Sequence, residues 1–166
     1  MNALADTAWT QTISKLGKSL PRPTAILCVS AHWETHGVKV MANEHPKTIH
    51  DFGGFPQELF DIEYPAKGSP EKVERTLQLL RAYKASPDLK WGLDHGTWSV
   101  LVHLYPEADI PVFQLSLDKS LNEKAHFEIG KSLRSLREEG VLILGSGNIV
   151  HNLRKIDWKD TAGKGF

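Results

Sequence analysis

The sequence predicts an α/β fold, a three-layer sandwich whose central sheet is mixed or largely parallel. Short apolar runs with β-branched members recur at 24–33, 110–118 and 141–148. Segments with helical apolar spacing lie between them, and Gly or Pro marks most of the joins.

Residues 5–20 carry apolar positions at helical spacing and stop at Pro21-Arg22-Pro23, so a helix is expected before the first strand. TAILCVSAHW (24–33) has the length and continuity of a strand buried on both faces, with His32 near its C-terminal end. GVKVMAN (37–43) alternates and suits a second strand. The stretch 44–70, rich in Gly, Pro and aromatics, reads as a long shaped loop; ordering it costs entropy, so it is expected to wall a pocket. Ser69 ahead of Pro70 and Glu71 marks a capped start for an amphipathic helix. HGTWSVLVHLYP (95–106) reads as a shorter helix ending before Pro106, and 110–118 as a strand. Residues 120–140 form one further helix stopped by Gly140, and VLILGSGN (141–148) a strand emptying into a Gly-containing turn.

A chain of 166 residues can bury one substantial core, so residues 1–166 are expected to form a single domain. Twenty basic residues balance twenty acidic ones, which leaves no global field to attract nucleic acid or an anionic membrane; a small, weakly charged partner fits better. No apolar stretch is long enough to cross a bilayer, MNALADTAWTQ lacks the pattern of an export leader, and Cys28 has no disulfide partner, so a cytoplasmic setting is expected. Oligomeric state has no signature.

The eight histidines are the unusual feature. In open α/β sheets the ligand crevice lies outside the carboxyl ends of the strands, where both SAHW and GSGNIVHN fall. His32 is therefore either a metal ligand at that rim or a satisfied structural histidine, and His151 a ligand or general base or an incidental member of a capping turn. His95 precedes a helix that Asp94 or Thr97 can cap, a position that suits a neutral, proton-accepting ring. His50 contacts substrate or makes a loop hydrogen bond. His103 and His126 read as packing or surface residues, and His36 and His45 as exposed. Ser30, Ser99 and Ser146 lie in no nucleophile elbow, and GSGN lacks the spacing of a nucleotide-binding turn. Trp33 and Trp98 are the two aromatics placed to line an aromatic substrate.

Taken in order, SAHW (30–33), HDFGGFP (50–56), LDHGTWSVL (93–101), YPEADIPVFQLSLD (105–118) and GSGNIVHNLR (145–154) resemble the class III extradiol dioxygenases of the 4,5-DOPA dioxygenase type. The resemblance spans nearly the whole chain. It implies an enzyme that inserts O2 into a catechol ring at a non-haem divalent-metal site, Fe(II) for turnover, with Zn(II) also suited to the same imidazoles. By the same resemblance His32 is a metal ligand, His151 a further ligand or the base beside the metal, and His95 a pocket acid or base. The family pattern has further ligand histidines ahead of the segment beginning Met1-Asn2-Ala3-Leu4 and beyond Gly165-Phe166, so the catalytic domain is expected to be incomplete at both ends. The alternatives are an inactive fragment or binding module with the family fold, and a zinc hydrolase on the same scaffold.

Overall fold

The apolar run from Ala25 folds as β1 (Ala25–Thr35) and takes an interior place in the sheet of the computed structural model, which describes residues 3–148. Ala25, Ile26, Leu27 and Cys28 are wholly buried, which is why the run is apolar on both faces rather than alternating. β4 (Val112–Asp118) and β5 (Val141–Ser146) flank it, both parallel, with Ile26 opposite Val112 and Leu142. Beyond β4 lies β2 (Lys39–Met41), antiparallel to it at Val40–Leu115, and then β3 (Ser86–Asp88), parallel to β2. The order β3-β2-β4-β1-β5 makes the sheet mixed. β3 was not expected. Its Ser-Pro-Asp sequence is a poor strand former, and the edge position, where Pro need not donate to a second neighbour, tolerates it.

Helices cover both faces of the sheet. α1 (Ala8–Ser19) starts in a reciprocal cap: the Thr7 hydroxyl accepts the Thr10 N–H and the Thr10 hydroxyl accepts the Thr7 N–H. It packs on α4 (His95–Leu104) at Gly17, where a Cβ would lie 2.0 Å from the Leu104 carbonyl oxygen. The long loop contains one short helix, α2 (Gln57–Phe60), and runs into α3 (Pro70–Leu79). Ser69 makes no side-chain cap there; Pro70, with no N–H to satisfy, sets the start of α3. The expected final helix is two, α5 (Glu123–Ser132) and α6 (Arg134–Glu138), broken at buried Leu133. Gly140, at φ 79°, ends α6 in the left-handed conformation its lack of a side chain permits.

Trp33 and Trp91 stack face to face, ring centroids 5.4 Å apart and planes 4° apart, joining β1 to the segment ahead of α4. Among the described residues no helix is long and apolar enough to cross a membrane.

Candidate functional site

β1 is regular only as far as Ser30. Its pairing with β4 steps from Val29–Leu115 directly to Glu34–Leu117, five residues on β1 against two on β4, and its pairing with β5 ends at Ser30–Ser146. Ala31, His32 and Trp33 therefore leave both ladders, a local irregularity of the kind that re-aims side chains at sheet ends. The His32 N–H donates to the hydroxyl of buried Ser30 at 3.2 Å.

The space His32 occupies exists because residue 96 is glycine. A Cβ there would lie 2.4 Å from Ser30 Oγ and 2.8 Å from His32 Cδ2. The Gly96 carbonyl also accepts the Ser146 hydroxyl, so the end of β5, the start of α4 and the irregular part of β1 meet at one point. Gly147 makes a second close approach, with a Cβ there 2.9 Å from that of Ala31.

Asp94, wholly buried, fixes the start of α4. Its Oδ1 accepts the Thr97 N–H at 3.1 Å as an N-cap, and its Oδ2 accepts from Gln114 Nε2 at 2.8 Å and Trp91 Nε1 at 3.4 Å. Gln114, equally buried on β4, returns its Oε1 to the Asp94 N–H at 3.2 Å. One helix turn of α4 is thus bolted to the sheet, and His95, its first residue, is carried with it. The His32 and His95 rings touch, centroids 3.8 Å apart and tilted by 46°.

The long loop supplies the third side. Ile49 N–H bonds to Leu93 O at 2.7 Å and Leu93 N–H to Lys47 O at 2.8 Å, while the Trp98 indole N–H bonds to Ile49 O at 2.9 Å. These bonds hold Asp51 over the start of α4, where its Oδ1 accepts the His95 backbone N–H at 2.9 Å and lies 2.8 Å from His95 Nδ1. Burial alone would raise the Asp51 carboxyl, but the facing N–H groups of His95 outweigh it and hold the group below its ordinary value. His32, Asp51 and His95 are the one group of metal-ligating side chains that converges among the described residues, with donor atoms within 4.8 Å of one another. Imidazole is a donor type that suits non-haem iron, so an exposed His32 with His95 and Asp51 close by fits a divalent-metal site.

Beside this group the loop builds an aromatic wall. Phe52 meets His95 edge-on at 5.6 Å and lies 4.9 Å from Phe60, 5.5 Å from Phe55 and 6.0 Å from Trp98. The loop thus walls the site, as its composition suggested, but with different residues. Trp98 is wholly buried and Trp33 is 3% exposed, so neither presents a face to a ligand. His50 takes the loop role, its Nε2 bonded to the Ile62 carbonyl at 2.9 Å. His126 spans helix and strand through the Asn122 carbonyl and the Asp118 N–H, a packing residue, while His36 and His45 are exposed. Cys28 receives the Thr97 hydroxyl, and burial pushes its thiol up to about 12, which removes it as a nucleophile. His151 lies outside the described residues.

Of the three converging side chains His32 and Asp51 are exposed and His95 is half-buried. Surface hollows run along α1 and past the C-terminal end of α4, beside Ser14, Lys18 and His103, where no such donor group converges among the described residues.

Comparison with known proteins shows what the chain is similar to. A family model described as the catalytic LigB subunit of aromatic ring-opening dioxygenase matches residues 6–164. The chain is 53% identical over 159 residues to a 4,5-DOPA dioxygenase extradiol of Escherichia coli (strain K12), covering 95% of this chain and 59% of that protein. A protein of the same name from Beta vulgaris is 47% identical over 133 residues, 78% of this chain and 50% of that one. The crystal structure of an uncharacterized protein from Escherichia coli K12 superposes with a TM-score of 0.80 at 46% identity, over 93% of this chain and 59% of that one. The chain thus spans about half to three-fifths of the length of these relatives.

Proposed function

This chain belongs to the LigB family, the catalytic subunits of aromatic ring-opening dioxygenases, and we propose on that premise that it is an extradiol dioxygenase acting on a catechol of the DOPA kind. The observation that carries the reading is the meeting of the His32 and His95 rings with the Phe52 ring at their side. An acyl-transfer site would need an activated nucleophile, and the described cysteine is a buried thiol.

His32 is the metal ligand in this reading, its backbone N–H held by the Ser30 hydroxyl and its ring admitted by the absence of a side chain at Gly96. His151 is assigned beside it, as a second ligand or as the base. Bound Fe(II) supplies a common centre for the catechol oxygens and O2, and the redox capacity that ring opening needs. The chain's own part is placement and proton handling. Phe52 offers a partly exposed ring beside His95, against which a substrate ring can stack while its hydroxyls face the histidines. His95 takes a proton from the catechol hydroxyl and returns one as the ring opens.

Oxygen uptake by the Fe(II)-loaded chain with L-DOPA tests the reading. One O2 consumed per catechol, with a yellow ring-opened product, is expected, and the Zn(II)-loaded chain should bind without turnover. Stoichiometric metal binding with no oxygen uptake would leave a binding module with the family fold.

A further inference from the structure

Asp51 and His95 meet at the start of α4. The His95 side chain is 18% exposed, yet Nδ1 is sealed from solvent and lacks an aligned hydrogen-bond partner. A sealed ring nitrogen calls for a partner. Asp51 Oδ1 stands 2.8 Å away, off the direction a linear bond needs. Hydrogen bonds of catalytic groups are commonly misaligned before substrate binds and tighten afterwards.

The chemistry of the two groups decides which way the proton lies. A neutral imidazole carries its proton on one nitrogen and accepts at the other, and an ionised carboxylate only accepts. We infer that Asp51 is a positioning residue for His95: it keeps the ring proton on Nδ1 and leaves Nε2 as the bare, proton-accepting nitrogen. When Nε2 takes the catechol proton, an O–H bond breaks, an N–H bond forms, and the positive ring faces the Asp51 carboxylate.

Asp51 is itself well held. The same Oδ1 accepts the His95 backbone N–H, one of the donors a helix start leaves without an internal partner. The loop that carries it is pinned through Ile49, Leu93 and Trp98. The His95 ring has little room to swing, with the Phe52 ring edge-on at 5.6 Å and His32 at 3.8 Å. Asp51 is also one of the converging metal-ligating side chains, but a single one of its oxygens lies 2.9 Å from the His95 backbone nitrogen and 2.8 Å from Nδ1, which assigns the carboxylate to His95.

The assignment rests on the ring-opening reading for its role in turnover, but its structural half is measurable without it. The test is long-range 1H–15N correlation on the histidine-labelled, metal-free chain, with His95→Gln used to identify the His95 signals. Wild type should show the Nδ1–H form, and Asp51→Ala should move the proton largely to Nε2. Asp51→Asn, which keeps an oxygen for the His95 backbone N–H and guards against loss of the fold, should raise the Nε2–H population. In the Fe(II)-loaded chain both variants should lose kcat by roughly 10–100-fold, the usual cost of removing a partner that orients a site histidine, with KM little changed. An Nε2–H ring in wild type, an unmoved proton in both variants, or a bound metal equivalent lost with Asp51→Ala would overturn the assignment. A proton that moves as expected in a chain that opens no catechol would sink the ring-opening reading and leave the Asp51–His95 pairing standing.

Discussion

From Ile26 to Val29, β1 pairs step for step with β4 and β5, whereas between Ser30 and Glu34 it leaves both ladders and is held by a helix start and a glycine gap. The first half is buried apolar side chain between two parallel neighbours, where any residue of similar shape serves. The second half places an exposed histidine ring against a second one through contacts specific to Ser30, Asp94 and Gly96. The lesson is a division of labour along one strand: regular pairing supplies the free energy that holds the domain, and the irregular end spends some of that rigidity on fixing a side chain.

The contrast is broken most severely in the regular half. Leu27→Ala, wholly buried between β4 and β5, should destabilise the chain by about 2–5 kcal/mol, read as a lower urea midpoint with the slope unchanged. At the seam between the halves, Asp94→Ala removes the α4 cap and leaves the buried Gln114 Nε2 without its acceptor. A loss of about 2–4 kcal/mol follows from those two terms, and a weaker metal affinity should accompany it as the start of α4 shifts. Gly96→Ala sharpens the comparison: the added methyl meets Ser30 Oγ and the His32 ring, so a cost of about 1–3 kcal/mol is expected. Its effect on metal titration should exceed its effect on the melting curve. His32→Ala should leave stability within about 0.5 kcal/mol, as an exposed position does, while abolishing metal binding by calorimetry. Equal destabilisation by His32→Ala and Leu27→Ala would show that the two halves are not distinct.

Legibility in the sequence follows the same division. β1, β4 and β5 could be read because burial on both faces writes a continuous apolar run, and α3 because Pro70 marks its start. The position of His32 at the end of a buried strand was legible for the same reason. The Asp94 cap was visible as an acidic residue just ahead of His95. β3 was hidden, since an edge strand of three residues needs no pattern of its own. Asp51 stands in the sequence merely as the residue after His50, because its contact with His95 crosses 44 residues and depends on how the loop closes. The aromatic wall was attributed to Trp33 and Trp98, which burial claims, rather than to Phe52, whose Gly-rich setting marks a loop but not the direction of a ring. Gly96 could have been suspected from a glycine inside the first turn of a helix, a position that otherwise favours a side chain.

The parallel indoles of Trp33 and Trp91 lie on the seam between the two halves, one on the irregular part of β1 and the other bonded to Asp94. Chromophores this close and this nearly parallel share their excited states, so the pair gives the chain an optical signature of its own in the ultraviolet. That signal reports the joint between sheet and site, and it will fade when α4 lifts away even if every strand is still paired.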